Sequence, residues 1–379
     1  MALLAGLIVV NAAMIGWFVL ARHDQLSMDL DVYRVGVTVW WNGGDLYGQL
    51  PALHNGWTLP FIYPPFSVVM LAPFAVVPFG LATAAMALLT IAALVVVMVV
   101  VLRSLNVRPT ALLISAALPV ALALEPVRNT LFYGQINVLL MALVVVDCLV
   151  RSPRWPRGAL VGIAAAVKLT PLIFVLFFLL RGQRRAAVTA GVSFLCATVA
   201  GFLLSWGNSV RFWTEQVLFG TQVRGMANEM NQSLKVMLVR LGSDSGVLWL
   251  LLAAAVLAMT ARGMRQAFAA GRPTWALGLN ALGGLLISPV SYSHHWVWAV
   301  PILLTAAATG RTALAAAGAS LFVLSPQWWW NPDAPWTTWH LLTGNAYVIA
   351  AVIVLGTAGL KRKQRELTTV EVGKQLVSE

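Results

Sequence analysis

Apolar residues form long, nearly uninterrupted runs along most of this chain. Runs of about twenty apolar residues, the length that crosses a hydrocarbon core of ~30 Å, recur from the first residues to residue 360. The alternation typical of strands is absent, and a helix satisfies its own backbone groups within lipid. The pattern therefore predicts an all-α polytopic integral membrane protein.

These runs predict about ten membrane-spanning helices. The predicted crossings lie at 2–21, 79–102, 110–124, 135–150, 186–206, 247–262, 274–290, 296–310, 312–327 and 340–360. The first run has neither a basic leader nor a small-residue cleavage site, so we interpret it as a retained helix rather than a signal peptide.

The stretch 158–180 does not fit this alternation, because its middle is polar and both of its flanks carry arginines. Two half-helices broken at 168–171 (Lys-Leu-Thr-Pro) would enter the membrane and return, since proline removes a helical donor and disfavours helix at the residue before it. Broken helices at membrane depth are tolerated where they line a cavity. The break is therefore a candidate site.

Basic residues between the runs assign the two sides of the membrane. The chain has 25 Lys and Arg, 13 Asp and Glu and a net charge of +12, and most of the basic residues fall on one side. By the positive-inside rule that side is cytoplasmic and includes both termini, so the charge reflects plasma-membrane topology and no nucleic-acid partner is expected. The exterior connections are 22–78, 125–134, 207–246 and 328–339, and a single transmembrane domain, 1–360, precedes a charged cytoplasmic tail, 361–379.

The sequence contains no recognisable motif for binding a soluble cofactor. The two cysteines, Cys148 and Cys196, lie in apolar runs, where a small apolar residue is expected rather than a disulfide or a metal site. There is no P-loop, dinucleotide fingerprint or nucleophile elbow. We therefore predict that the protein uses no cofactor.

Two of the scarce acidic residues, Asp29 and Asp31, follow the first run in segment 29–33 (Asp-Leu-Asp-Val-Tyr). A carboxylate at a membrane boundary can act as a general base when it reaches a hydroxyl, because partial loss of water raises its pKa. The alternative is that both are solvated loop charges or helix caps. Segment 61–66 (Phe-Ile-Tyr-Pro-Pro-Phe), which contains Tyr63, follows in the same exterior connection.

A second polar segment, 125–130 (Glu-Pro-Val-Arg-Asn-Thr), leads to Gln135 and Asn137 at the start of an apolar run. Arg128 could hold a phosphate through two parallel N–H donors, and the two amides could hydrogen-bond sugar hydroxyls. A Glu125–Arg128 pair one helical turn apart, with helix-capping amides, is an equally open alternative.

Lys168 is the one basic residue within a predicted apolar stretch. A charged side chain there is costly unless it faces a partner or a wet cavity, so the position favours function. A structural ion pair with Asp147 is the alternative.

Adjacent histidines, His294 and His295, lie in segment 288–298 (Ser-Pro-Val-Ser-Tyr-Ser-His-His-Trp-Val-Trp). They are a poor metal pair, because helical ligands usually come from positions i and i+3 or i+4. They could hydrogen-bond a phosphate or a sugar while Trp296 stacks on a ring, although an interfacial aromatic belt would also account for the tryptophans. Segment 228–234 (Asn-Glu-Met-Asn-Gln-Ser-Leu) adds an amide-rich turn around position 231.

Six of these segments, taken in order, are similar to those of glycosyltransferase family 87, the polyprenyl-phosphate-sugar-dependent membrane glycosyltransferases. They are 29–33, 63–66, 125–137, 167–171, 231–233 and 288–298. The resemblance covers about residues 29–301 and implies a GT-C-type fold with exterior loops. The family's catalytic carboxylate begins an Asp-x-x-Val-Tyr pattern, which here selects Asp29 over Asp31.

What the resemblance implies is transfer of mannose from a polyprenyl-phosphate-mannose donor to a hydroxyl of a cell-envelope glycolipid. The acceptor is expected to be of phosphatidylinositol mannoside or lipomannan type, the new bond α-1,2, and the transfer inverting. Asp29 is the expected base at the exterior face. The other expected site residues are Arg128, Lys168, His294 and His295 for the donor phosphate, and Asp31, Tyr33, Tyr63, Gln135, Asn137, Asn231 and Trp296 for sugar or acceptor contacts.

Two other functions remain open from the sequence. The family includes arabinofuranosyltransferases, so arabinose from its polyprenyl phosphate is an alternative donor sugar. A lipid or sugar transporter would also be polytopic with a buried charge, but transporters often carry paired interrupted helices, whereas this chain has one obvious break. Asp29 and Asp31 have no evident third ligand, so metal independence is predicted.

Overall fold

The structure is a computed structural model that describes residues 2–20, 27–217, 228–330 and 336–358. The α-helices are α1 (Ala2–Leu20), α2 (Met28–Trp41), α3 (Ser67–Ala75), α4 (Phe79–Ser104), α5 (Ala111–Ala123), α6 (Glu125–Tyr133), α7 (Asn137–Leu149), α8 (Ala159–Val167), α9 (Val175–Leu180), α10 (Arg184–Leu204), α11 (Trp206–Arg211), α12 (Leu234–Arg240), α13 (Gly246–Ala269), α14 (Pro273–Ile287), α15 (Ala299–Ala308), α16 (Thr312–Leu324), α17 (Thr338–Gly344) and α18 (Ala346–Ala358). Short turns of 3-10 helix lie at Thr170–Phe174, Ser293–Trp298 and Pro326–Trp328, and one π turn lies at Phe212–Gln216. The described residues contain no β-sheet, so the prediction of an all-α polytopic membrane protein is confirmed.

The predicted crossings coincide closely with helices. In the described part of the chain, α4, α10 and α13 are each long and apolar enough to span a membrane. Two bent pairs, α5 with α6 at 74° and α17 with α18 at 66°, raise the number of such spans to as many as five. The remaining apolar helices are shorter, so the count of about ten crossings stays a prediction, as does the boundary at 360. The predicted tail lies outside the described residues.

Helices α8 and α10 pack at close range through small side chains. A Cβ atom at Gly162 of α8 would collide with the carbonyl oxygen of Ala190 on α10. Within lipid, small residues let helix backbones approach and gain van der Waals contact, since no hydrophobic force draws apolar helices together. This contact fixes α8, whose last residue precedes the break.

The predicted break is present at Lys168. Helix α8 ends at Val167, and Lys168 is extended, with φ −150° and ψ 125°. A 3-10 turn begins at Thr170, directly before Pro171. The chain thus leaves helical geometry where the proline was expected to force it out.

The alternative pairing of Lys168 with Asp147 is wrong. Asp147 is fully buried and accepts hydrogen bonds from the indole of Trp155 at 3.0 Å and from the backbone N–H groups of Gly158 at 2.9 Å and Val161 at 3.0 Å. These N–H groups lie at the start of α8. The first N–H groups of a helix have no partners within the helix, and this end of a helix favours negative charge. Asp147 therefore caps the start of α8, and Lys168 lies at its far end.

The long connection between α2 and α3 is held down by specific polar contacts. Asp31 accepts hydrogen bonds from the backbone N–H of His54 at 2.8 Å and pairs with its Nδ1 at 3.0 Å. Asn208 of α11 accepts a bond from the backbone N–H of Leu46 at 2.8 Å, and Arg211 pairs with Asp45. The connection is thereby tied both to α2 and to the chain after α10.

Candidate active site

Asp29 lies in the first turn of α2, where that helix meets the end of α6. The N-cap residue Ser27 has a left-handed backbone, with φ 66°, and its N–H donates to the carbonyl of Phe132 at 2.7 Å. Gly134 ends α6 with φ 66°, and a Cβ atom there would collide with Leu30. Glycine pays no steric cost for this conformation, so it lets the two helix ends touch.

Gln135 connects Asp29 to two phenols. The Tyr33 hydroxyl donates to Oε1 of Gln135 at 2.9 Å and lies 2.9 Å from the Tyr63 hydroxyl. The Tyr63 hydroxyl is 3.4 Å from the same oxygen. The Gln135 side chain also hydrogen-bonds Asp29. Since its oxygen accepts from tyrosine, its amide N–H group is the donor to the carboxylate.

The surroundings of Asp29 favour a basic carboxylate. Removal from water raises the pKa of Asp29 from 3.8 to about 6, while the hydrogen bond from Gln135 and the attraction of Lys168 act in the opposite direction. A pKa near the working pH is what a general base needs, because the group is largely ionised at neutral pH and still accepts a proton well.

Lys168 is held in position by two side chains. Its Nζ donates to Oδ1 of Asn137 at 2.9 Å and lies 3.1 Å from Nε2 of His295. The ammonium also lies 5.4 Å from the centre of the Tyr63 ring, and Asp29 and Lys168 attract one another. Asn137 and His295 were predicted to belong to the same site, and the fold brings them onto the same ammonium.

The backbone and the side chain of His294 have different surroundings. Its backbone carbonyl accepts from Nδ2 of Asn137 at 3.1 Å and from the Thr130 hydroxyl at 3.2 Å. Its ring is buried, 4.7 Å from the His295 ring, and neither ring nitrogen has a hydrogen-bond partner among the described residues. Buried polar atoms without partners are rare in native proteins, so this ring is a candidate to meet a bound molecule.

A narrow cavity continues from this group toward apolar side chains. It has a volume of about 60 Å³ and begins at Asn137 and His295. Its walls further on include Met141, Phe174 and Leu285. In this state it has room for a few water molecules.

Four predicted site residues have other surroundings. Asp31 is engaged with His54, as described above, and does not join Asp29. Trp296 is 1% exposed and packs 5.5 Å from the Tyr347 ring, so it cannot present a face to a sugar. Asn231 is fully buried and accepts the N–H of Ser291 at 3.0 Å, which fixes the turn before the histidines. These three side chains are thus engaged in contacts within the protein, and the sugar contacts predicted for them stay predictions.

Arg128 is the fourth, and the structure places it on the surface of α6. Glu125 attracts it, but its guanidinium makes no hydrogen bond within the described ranges. The Glu125 carboxylate instead accepts from the Trp328 indole and the Tyr347 hydroxyl, each at 3.0 Å, and from Asn129. Glu125 thus anchors α6 to the last helices and forms no direct ion pair with Arg128 among the described contacts, and the phosphate contact predicted for Arg128 stays a prediction.

Sequence reasoning missed Tyr133 and Tyr292. The charge of Asp29 acts on both hydroxyls, and their rings lie 5.7 Å and 5.6 Å from the His294 ring. Tyr133 directly precedes Gly134, and Tyr292 lies two residues before His294. Their positions inside the polar segments were the available signal.

Comparison with known proteins agrees with this architecture. Residues 61–289 match the sequence profile of glycosyltransferase family 87. This chain belongs to that family. Asp29, Tyr33, His294 and His295 lie outside the matched range, so their place in the site rests on the contacts given above.

Family 87 relatives match nearly the whole chain. This chain is 37% identical to the polyprenol-phosphate-mannose-dependent α-(1-2)-phosphatidylinositol mannoside mannosyltransferase of Mycobacterium tuberculosis, over 89% of this chain and 86% of the relative. It is also 37% identical to the protein of the same name from Mycolicibacterium smegmatis, over 93% of this chain and 88% of the relative. An α-(1->3)-arabinofuranosyltransferase of Mycobacterium tuberculosis is 29% identical over 49% of this chain and 43% of its own length. No solved structure matches the chain. The predicted family is confirmed, and a glycosyltransferase replaces the transporter alternative.

Proposed function

We propose that this glycosyltransferase transfers mannose from polyprenyl-phosphate-mannose to a hydroxyl of a cell-envelope glycolipid of phosphatidylinositol mannoside or lipomannan type. The mycobacterial relatives that match most of the chain carry this activity in their names. The proposed bond is α-1,2, and the transfer inverts the anomeric centre.

One observation carries the mechanism: a carboxylate and an ammonium attract one another within a shared set of phenol and amide groups. The acceptor hydroxyl oxygen attacks the anomeric carbon, and its proton passes to the Asp29 carboxylate. The bond between the anomeric carbon and the phosphate oxygen breaks, and its electron pair leaves with the polyprenyl phosphate.

Lys168 is the proposed stabiliser of the departing phosphate. Negative charge grows on that phosphate as the bond breaks, and a fixed cation in a dry site lowers the energy of that state. Asn137 and His295 hold the ammonium in place. The His294 ring nitrogens, which are buried and have no hydrogen-bond partner among the described residues, are proposed to contact the same phosphate. Gln135, Tyr33 and Tyr63 orient Asp29 and contact the transferred sugar.

No metal or nucleotide is required by this scheme, because one base and a phosphate leaving group complete the bond changes. We therefore predict that transfer by purified protein survives EDTA. A loss of activity that a divalent cation restores would contradict this prediction.

The decisive experiment is a membrane assay with radiolabelled polyprenyl-phosphate-mannose and, in parallel, polyprenyl-phosphate-arabinose. Wild-type protein should transfer mannose, and Asp29→Asn should reduce transfer by about 10²- to 10⁴-fold, the usual contribution of a general base. The matched control is Asp31→Asn, which removes an equal charge two residues away and should cost far less activity at equal protein levels.

Each other outcome has a distinct meaning. Undiminished transfer by Asp29→Asn would remove Asp29 as the base. Transfer of arabinose instead of mannose would replace the donor and leave the site assignment standing.

A further inference from the structure

A second cavity lies at the opposite end of the helix bundle from Asp29. It has a volume of about 600 Å³, within the usual range for ligand pockets. Its lining comes from the end of α4, the start of α14 and the turn between α15 and α16, and includes Asn106, Arg272, Thr274, Trp275 and Arg311. Among the described residues, none of the lining side chains is acidic.

Two helices connect this cavity to the segment that contains the histidines, and their lengths give the separation. Helix α14 starts at the cavity and ends before Ser288, and α15 starts after the 3-10 turn that contains His295 and ends before Thr309, which lines the cavity. At 1.5 Å per residue these helices are about 22 Å and about 15 Å long. The cavity is therefore separate from the proposed catalytic site.

Several donors for an anion converge on this cavity. Arg272 precedes Pro273, the first residue of α14, and Arg311 precedes α16. The backbone N–H groups of the first turn of a helix have no intrahelical partners and favour negative charge, so both helix starts add to the positive field of the arginines. The Arg311 guanidinium lies 4.8 Å from the centre of the Trp275 ring, which fixes its position at the cavity wall.

The hydroxyl of Thr274, in the cavity wall, is a second observation that favours a bound anion. The side chain is 95% buried in the cavity wall at 5% exposure, and its hydroxyl has no hydrogen-bond partner among the described residues. The other threonine hydroxyls of the lining, those of Thr305 and Thr309, already donate to backbone carbonyls. A buried hydroxyl without a partner is costly, and rotation of the Thr274 side chain toward an anion in the cavity would give that hydroxyl an acceptor.

We propose that this cavity binds a phosphate group, and that the phosphate belongs to the headgroup of an anionic membrane lipid. Arginine forks match phosphate oxygens, and basic pockets between membrane helices bind anionic headgroups. The exposed rim, formed by Asn106, Gly271, Arg272 and Gly310, gives a headgroup access from the surface. By the predicted topology this lipid belongs to the cytoplasmic leaflet, whereas the substrates of the proposed transfer approach from the other side.

The test measures the melting temperature of the purified full-length protein in detergent while phosphatidylglycerol, phosphatidylcholine or inorganic phosphate is titrated. Phosphatidylglycerol should raise the melting temperature saturably, and phosphatidylcholine should not. Arg272→Gln and Arg311→Gln should each weaken the apparent affinity about fivefold. Thr274→Val, which keeps the shape of the side chain, should also weaken it, whereas a purely structural threonine would leave the lipid response unchanged.

Arg265→Gln is the matched control, because this exposed arginine near the end of α13 does not line the cavity. It should respond like the wild type, and so should Asp29→Asn, which keeps this result independent of the proposed catalysis. Equal responses of the wild type and the Arg272→Gln/Arg311→Gln double variant would overturn the proposal. A matching shift with inorganic phosphate would support the phosphate site and assign it to a soluble phosphate instead of a lipid.

Discussion

At the scale of single residues, the proposed chemistry depends on Asp29 and on the groups that surround it. A carboxylate at the solvated end of a helix would be a weak base. Here the loss of water raises the pKa of Asp29 to about 6, and Gln135 and Lys168 oppose this rise without cancelling it. The side chain is thus ionised at neutral pH and more basic than an ordinary aspartate.

A pH profile tests this environment. Transfer needs the ionised carboxylate, so kcat/KM should fall below about pH 6, the pKa of the free enzyme's base. Because the Gln135 hydrogen bond lowers that pKa, Gln135→Leu should move the acid limb to higher pH. The measurement is kcat/KM against pH for both proteins, with Gln216→Leu, in the π turn, as an amide control.

The direction of the shift is what decides this test. An acid limb that stays in place in Gln135→Leu, or that moves to lower pH, would show that another group titrates.

At the scale of elements, the site exists because helices stop where they do. Helix α8 ends at Lys168, α6 ends at Gly134, and α2 begins after Ser27. Because each helix stops there, polar side chains next to its end contact residues of other segments. A continuous helix would have kept those side chains on its own face. The break at Lys168 in turn depends on the position of α8 against α10.

The close contact of α8 with α10 is testable at Gly162. Gly162→Leu should destabilise the protein by at least about 1–3 kcal/mol, because the larger side chain collides with the backbone of α10. The readout is the melting temperature in detergent. Gly191→Leu is the matched control, since none of the described residues lies within 4 Å of a Cβ atom at that exposed position of α10. Equal melting temperatures for the two variants would contradict the packing described here.

At the scale of the whole molecule, the two cavities lie at opposite ends of the helix bundle. One end carries Asp29, Lys168 and the long connection between α2 and α3, and the other carries Arg272 and Arg311. By the positive-inside rule we predict that the second end faces the cytoplasm.

Cysteine labelling tests that orientation. In a Cys196→Ala background, Thr58→Cys should react with a membrane-impermeant maleimide in intact cells, because it is exposed on the predicted exterior side. Ala270→Cys, exposed at the end of α13, should react only after permeabilisation. The remaining cysteine, Cys148, is buried. The reverse pattern would invert the predicted topology.

The sequence by itself determined the helices, the break and the family. Apolar runs of membrane length and the Lys-Leu-Thr-Pro segment are local signals, because the lipid dictates run length and proline dictates where a helix ends. The ordered polar segments sufficed to indicate family 87 and to select Asp29.

Only the tertiary structure decided which polar residues meet. Asp31 and Asp29 are two residues apart, yet one holds His54 and the other faces Gln135. Lys168 reaches Asn137 and His295 rather than Asp147, and Trp296 is enclosed by aromatic rings of later helices. These outcomes depend on contacts between segments far apart in the chain, and hydrophobic periodicity carries no record of how such segments pack.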